Sequence, residues 1–262
     1  MSKVVVVTGA SSGIGLAIAK KFVENGHIVY SFSRGAPNDD SIKFIHCDVS
    51  KREIVESAFK ELIAKEGKID ILINNAGMGI SGAMEFEPQA DIQKIIDVNF
   101  LGVVNCCSVA LPHLRESKGT IINISSMAAE FTIAFQTMYS ATKSAILAFS
   151  TALKNEVRPF GVRVSCVLPG DIKTGFTANR IKSDAEKTPY SEREKRSVEY
   201  MEKCEQNGIA PEKIARKICK VAEKKNPPVS FTYGFSYKLI RLANRLLPQK
   251  LINYILYRLY GK

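Results

Sequence analysis

Tyr139 and Lys143 stand four residues apart in the run Tyr139-Ser140-Ala141-Thr142-Lys143, and on a helix that spacing sets a phenol and an ammonium on one face. A free tyrosine titrates near pH ~10 and is a poor base at neutrality, but a neighbouring cation favours the phenolate and draws the pKa toward the working range. The pair suits acid–base work at a substrate oxygen. The stretch from Tyr139 to Glu156 predicts a long helix, with apolar residues recurring at Ala141, Ala145, Ala148, Phe149, Ala152 and Leu153. The same spacing also arises on solvated helix faces, so its meaning depends on the elements around it.

The N-terminus supplies one of those elements. Val4 to Val7 form a continuous β-branched run, the pattern of a strand buried on both faces of a parallel sheet. Thr8-Gly9-Ala10-Ser11-Ser12-Gly13-Ile14-Gly15 follows and leads into an apolar-periodic helix from Leu16 to Glu24. Glycines in such a turn let the backbone approach a pyrophosphate, and the first helical turn offers unpaired N–H groups and the positive end of its dipole to the anion. Strand, loop and helix in this order read as a dinucleotide site.

With Gly9-x-x-x-Gly13-x-Gly15 and Tyr139-x-x-x-Lys143 both in place, the chain resembles the short-chain dehydrogenase/reductase family. Asn74-Asn75-Ala76-Gly77 follows a strand at 70–73, Asn99 lies on the next long helix, and Ser126 follows the strand from Thr120 to Ser125. Pro169-Gly170 follows the strand from Val162 to Leu168, with Ile172 and Thr174 shortly after. The landmarks cover about residues 3 to 175. The resemblance implies a Rossmann-type, doubly wound parallel α/β sheet and a nicotinamide cofactor. It assigns proton transfer to Tyr139, support of that tyrosine and of the nicotinamide ribose to Lys143, orientation of the substrate oxygen to Ser126, and a proton-exchange water chain to Asn99. It further implies cofactor contacts from Gly9, Ser11, Ser12, Gly13, Ile14 and Gly15, from Asn75, Ala76 and Gly77, from Pro169, Gly170, Ile172 and Thr174, and from Asp48 and Val49 around the adenine.

Cofactor choice is readable after the second strand, Ile28-Val29-Tyr30-Ser31-Phe32-Ser33-Arg34. A carboxylate there would serve the ribose 2'-hydroxyl of NAD, whereas a 2'-phosphate needs a cation and small donors. Ser33 and Arg34 favour NADP(H) over NAD(H). Asp39 and Asp40 fall several residues later, in a loop that would have to fold back to reach the ribose.

Strand signals at 3–7, 28–33, 42–46, 70–73, 119–125, 162–168 and 229–232 predict about seven strands in a single 262-residue α/β domain with a helical C-terminal extension. No apolar segment precedes the first strand, and no stretch approaches the ~20 continuous apolar residues of a membrane span. Six cysteines show no metal-ligand spacing and suit a reducing, cytoplasmic setting; no metal site is expected among them or the three histidines. The long helices at 89–111 and 138–156 are expected to meet across a homodimer, as the family resemblance implies.

Two segments bear on the substrate. The region from Asp171 to about residue 210 is strongly charged, with Lys182-Ser183-Asp184-Ala185-Glu186-Lys187 as one run. Its apolar residues Phe176, Ile181, Tyr190, Val198, Tyr200 and Met201 would form the inner face of a lid, which implies a substrate larger than a simple sugar or short ketone. Residues 235–260 then predict two amphipathic helices divided by Pro248. From Lys224 to Lys262 there are eight Lys or Arg and no Asp or Glu, supplying +8 of the formal +11. Charge this local argues against nucleic-acid binding and leaves three roles open for the extension: peripheral contact with an anionic membrane, a cap on an apolar cleft, or plain packing. Lid and extension together resemble the 17β-hydroxysteroid dehydrogenase and retinol dehydrogenase branch. That resemblance implies a bulky steroid-, retinoid- or lipid-like alcohol or ketone. A 3-oxoacyl thioester reductase is the enzymatic alternative, and a non-catalytic NADP-binding sensor or scaffold the alternative of another kind.

Overall fold

The structure is a computed structural model that describes residues 2–182 and 188–262. The first strand, β1 (Val4–Thr8), is buried throughout. Its side chains alternate between two cores, Val4 and Val6 into one, Val5 and Val7 into the other, as the period of two in a strand requires. Helix α1 (Gly13–Glu24) leads to β2 (Ile28–Ser33), β3 (Lys43–His46), α2 (Arg52–Glu66) and β4 (Ile71–Asn74). A short β5 (Ile80–Ser81) precedes α3 (Gln89–Ile96), α4 (Gly102–Ser117), β6 (Thr120–Ile124), α5 (Thr137–Val157) and β7 (Arg163–Val167). The chain ends with β8 (Ile181–Lys182), α6 (Ser191–Gln206), α7 (Pro211–Ala222), β9 (Ser230–Phe231), α8 (Phe235–Leu246) and α9 (Gln249–Leu256).

Seven strands form one parallel sheet in the order β3-β2-β1-β4-β6-β7-β9. All seven strands expected from sequence are present, within a residue or two at their ends. Helices α1 and α7 pack on one face through Ile18, Phe22, Ile214 and Ile218. Helices α2, α4 and α5 pack on the other through Phe59, Leu62, Cys106, Leu114, Ile146 and Leu153. Strand order reverses between β1 and β4, the point where an open α/β sheet leaves a crevice beyond its carboxyl ends.

Three features depart from the sequence reading. β5 and β8 pair as a separate two-stranded parallel sheet, too short to leave a pattern in the sequence. The helix expected at 89–111 is interrupted by a π-helical turn, Asp97–Leu101, and then runs through Pro112 to Ser117, where buried Leu114 holds its last turn on the sheet. By length and composition the whole run Gln89–Ser117 could cross a membrane, but Ile95, Val103, Cys106, Cys107, Ala110 and Leu114 are core residues. Of the charged run at 182–187, only Lys182 falls within the described residues.

Candidate active site

The loops at the carboxyl ends of β1, β4, β6 and β7 meet around one cavity of about 950 Å³. At the glycine loop, Thr8 Oγ1 accepts from the backbone N–H groups of Asn75 and Ala76, both at 2.9 Å, and Asn75 Nδ2 donates to the carbonyls of Thr8 (3.0 Å) and Gly9 (3.2 Å). This clamp draws two backbones together where only glycine fits. Gly9 has φ +66° and a Cβ there would lie 2.9 Å from Ala76 Cα, while at Gly15 it would lie 2.4 Å from the Gly9 carbonyl oxygen. Ser12, at the N-cap of α1, makes no side-chain cap bond. The loop and the first turn of α1 thus present backbone donors to a cradle that any larger residue would fill, and these residues fit a dinucleotide pyrophosphate.

Of the expected cofactor residues, Gly9, Ser11, Ser12, Gly13 and Ile14 border the cavity, as do Ser33, Arg34, Asp48 and Val49, then Asn75, Ala76 and Gly77, and finally Pro169, Gly170, Ile172 and Thr174. Gly15 does not border it; its place is inside the clamp, so it acts by packing. Arg34 is exposed at the mouth. Burial works against charge on Asp48, but the hydroxyl and N–H of Ser50, with the charges of Arg34 and Lys51, outweigh it and hold the carboxyl below its usual range. Asp39 and Asp40 do not fold back into the cavity. Asp39 accepts from the hydroxyl and N–H of Ser41 and pairs with Lys20 at 3.4 Å.

At the other end of the cavity lie Ser126, Tyr139 and Lys143. Ser126 follows β6 and caps a short turn, its Oγ accepting from Ala128 N at 3.1 Å. On α5, Lys143 is 5% exposed; its Nζ donates to the Ile124 carbonyl at 3.1 Å and lies 5.6 Å from the centroid of the Tyr139 ring. The ammonium was expected to lower the phenol's pKa. Burial outweighs it: Tyr139 is pushed up to about 12, against the hydrogen bond of Ser126, with Glu205 adding to the rise and Arg180 opposing it. Burial likewise pushes Lys143 down to about 8.

Asn99 sits behind this pair and does not border the cavity. It is fully buried in the π-helical turn, where Oδ1 accepts from Met78 N at 2.8 Å and Nδ2 donates to Met78 O at 3.0 Å. A Cβ at Gly77 would lie 3.3 Å from Asn99 Oδ1 and 3.5 Å from Lys143 Nζ, so that glycine keeps the amide and the ammonium in one small space. A π-helical turn is a frequent device for aiming one side chain at a functional site.

The lid and the extension supply the remaining walls. Phe176, Ile181 and Met201 face the cavity; the Phe176 and Tyr139 rings are 5.9 Å apart. Tyr190, Val198 and Tyr200 do not face it. Tyr190 packs instead beside Phe86 and Phe135, Val198 is buried on α6, and the exposed Tyr200 meets Tyr260 edge-to-face at 5.3 Å. Sequence reasoning missed Asp171, Glu205, Tyr237 and Arg180. Tyr237 lies over Gly170, where a Cβ would fall 2.1 Å from the ring, and its hydroxyl accepts from Asp171 N (2.8 Å) and donates to Asp171 Oδ2 (2.7 Å). Arg241 adds a bidentate pair with Glu130. No local motif announces such contacts. One face of α8 and α9 then closes the cavity through Ile240, Ala243, Leu247, Ile252 and Leu256.

Comparison with known proteins identifies the family. Residues 3–185 match the short chain dehydrogenase family model, and the chain belongs to the short-chain dehydrogenase/reductase family of oxidoreductases. Among curated proteins it is 39% identical to the 3-ketodihydrosphingosine reductase of Bacteroides thetaiotaomicron over 264 residues, covering 99% of this chain and 98% of the relative. Among solved structures it resembles a short-chain dehydrogenase from Streptomyces avermitilis, with TM-score 0.83, 29% identity and coverage of 94% and 92% of the two chains. It also resembles ElxO with NADP bound, with TM-score 0.75, 26% identity and coverage of 91% and 100%.

Proposed function

We propose that the chain is an NADP(H)-dependent reductase in which hydride supplied by the nicotinamide reaches the ketone of a long-chain, lipid-like substrate of the 3-ketodihydrosphingosine type. One observation carries this reading: Ser126, Tyr139 and Lys143 share a single cavity with the apolar faces of α8 and α9, so the reacting end of a substrate and its hydrocarbon chain have continuous walls. The near full-length likeness to a reductase acting on such a ketone supports it. A steroid- or retinoid-like substrate shares the apolar bulk, but nothing in the cavity singles out a rigid ring system. A 3-oxoacyl thioester would leave the hydrocarbon walls of the extension without a special purpose unless its acyl chain were long.

Tyr139 holds its proton at neutral pH, since burial pushes its pKa to about 12, and a neutral phenol is the form that donates to a carbonyl oxygen. Ser126 hydrogen-bonds that phenol and shares the reacting oxygen. As the proton leaves, Lys143 beneath the ring stabilises the phenolate. Asn99 keeps the Met78 loop and the ammonium in register and serves proton exchange with solvent. The glycine loop would hold the pyrophosphate; Arg34, with Ser33 beside it, would take the 2'-phosphate, and Asp48 and Val49 would flank the adenine. Ser33 Oγ donates to Gly35 O at 2.7 Å and bonds Ser31 Oγ at 2.8 Å, which leaves the charge on Arg34 as the main discriminator.

The extension also offers a peripheral membrane surface. Phe235, Leu239, Leu242 and Leu246 recur along one exposed stripe of α8, with Phe235 77% and Leu246 74% exposed. The surrounding charge is wholly cationic from Lys224 onward, which matches an anionic leaflet facing the cytoplasm. Helices α4 and α5 are our proposed homodimer contact.

NADPH oxidation tests the reading, using 3-ketodihydrosphingosine, steroid ketones, retinal and 3-oxoacyl thioesters, with Tyr139→Phe as control. Turnover of the sphingoid ketone that vanishes in the variant supports it. Tight NADPH binding with no turnover of any carbonyl would favour a sensor.

A further inference from the structure

Gln136 is a buried amide that the protein leaves without a partner. It stands three residues before Tyr139, at the N-cap of α5, and is 4% exposed. That position favours Ser, Thr, Asp or Asn, whose short side chains bond the first free N–H groups of a helix. The Gln136 side chain makes no such cap bond. Its backbone does the anchoring, with N donating to the Ile133 carbonyl at 3.2 Å and O accepting from Ser140 N at 2.8 Å. Among the described residues, no protein group bonds its amide. An unpaired buried amide is costly, so the stability of α5 does not account for it.

The amide opens onto the cavity. Ser81, Arg180 and Ser197 also hold buried polar atoms without partners, but those atoms are sealed within the protein and none of the three residues borders the cavity. Gln136 does border it, and its amide atoms are not among the sealed ones. Along the same stretch of chain Met127, Phe131 and Ile133 line the wall, so the amide is a polar point in an apolar surface leading up to Tyr139. The backbone before it is strained. Phe135 has φ +61°, a conformation that persists in a bulky residue only where the surroundings enforce it. Its carbonyl accepts from Gly82 N at 2.9 Å, and the Arg193 guanidinium lies over its ring at 6.0 Å. Strain held this close to the phenol is a mark of a functional segment.

An amide both donates and accepts, and so does a hydroxyl, whereas an ammonium only donates. We propose that Gln136 determines substrate specificity by pairing with a hydroxyl carried within two carbons of the reacting ketone, which makes the preferred substrate a long-chain hydroxy ketone. This rests on the reductase reading above and names the group by which the head of the substrate is read. Ser126 and Tyr139 take the ketone oxygen, Gln136 takes the hydroxyl, and the apolar faces of α8 and α9 take the hydrocarbon chain. A ketone without the hydroxyl leaves the amide unpaired, which is the basis of its rejection.

The experiment measures NADPH-dependent reduction of 3-ketodihydrosphingosine, which carries such a hydroxyl, against 2-aminooctadecan-3-one, which lacks only that group, in wild type, Gln136→Met and Gln136→Glu. The wild type is expected to prefer the hydroxy ketone by about ten- to hundredfold in kcat/KM, the range for leaving a buried polar group unpaired. Gln136→Met, apolar and close in volume, should bring that ratio toward unity with NADPH affinity by fluorescence titration retained. Gln136→Glu accepts but cannot donate, and should lower the ratio several-fold; where the Met variant does not fold, an unchanged ratio in the Glu variant overturns the role. Equal wild-type turnover of the two ketones, or a Gln136→Met loss that falls equally on both, overturns it while leaving the reductase reading intact. Failure of the wild type on both ketones overturns the two together.

Discussion

Replacing Lys143 with Met should make the cofactor-free protein more stable while disabling it. The ammonium is buried at 5% exposure, and burial lowers its pKa from 10.5 to about 8. Each pKa unit corresponds to about 1.4 kcal/mol, so holding the charge inside costs roughly 3 kcal/mol at pH 7. Met fills much of the same volume without charge, but the Ile124 carbonyl loses its bond from Nζ, which returns about 1 kcal/mol. The net gain of about 2 kcal/mol should raise Tm by about 5 °C for a chain of this size. Below pH 8 the lysine is charged in both folded and unfolded states and the full cost applies; above pH 10.5 it is neutral in both and the cost vanishes. The stability of the wild type should therefore rise toward that of the variant between these limits. Differential scanning of both proteins at pH 7 and pH 10.5 measures the gap, and other titrating groups cancel in the difference. A variant less stable than wild type at pH 7, or a gap that does not change with pH, would refute the assignment of Lys143 as a strained, functionally retained charge.

Tyr139→Phe should lower kcat by about 10²- to 10⁴-fold, the usual worth of a positioned acid, with NADPH affinity by fluorescence titration unchanged; comparable turnover would remove Tyr139 from the chemistry. Arg34→Leu should raise the Michaelis constant for NADPH by roughly ten- to hundredfold, the worth of a bond to a charged phosphate, and that for NADH little. Equal effects on the two cofactors would dissolve the NADP preference. The full chain should float with phosphatidylglycerol vesicles and not with neutral ones, and Phe235→Glu with Leu246→Glu should abolish flotation without changing the far-ultraviolet circular dichroism. Absence of flotation, or a shift of the wild type from dimer to monomer in the doubly substituted chain, would give the α8 stripe to a second copy of the protein instead.

Local chemistry explains how much of this was legible beforehand. The main-sheet strands are readable because the run Val4–Val7 is β-branched throughout and Ile121–Ile124 is so except at Asn123, both buried on both faces, and the glycine loop is readable because Gly9 and Gly13 adopt positive φ where other residues are strained. What escaped depends on residues far apart in sequence. Gly170 reads as a cofactor residue, yet its lack of a side chain also admits Tyr237 from the extension. Asn99 reads as a polar residue within a helix, and nothing in Asp97–Leu101 announces the π-helical turn that aims it. The Tyr139 and Lys143 pair was legible as a pair, but the direction of their titration was not, because burial is a property of the assembled cavity.

Helix α8 shows why the extension resists a single description. At 3.6 residues per turn, Phe235, Leu239, Leu242 and Leu246 fall on one stripe, while Ile240, Ala243 and Leu247 fall about a third of a turn away and border the cavity. Tyr237 and Arg241 lie on a third side, where they hold the helix to Asp171 and Glu130. Packing alone would account for the second and third sides but leaves the first exposed, an arrangement that soluble surfaces ordinarily avoid. The membrane surface proposed above would give that stripe an occupant. It would also bring the cavity, which α8 walls through Ile240 and Ala243, close to the phase in which a long-chain ketone dissolves. The bonds of Tyr237 and Arg241 hold α8 against the rest of the cavity wall, so weakening them should loosen the helix over the cleft.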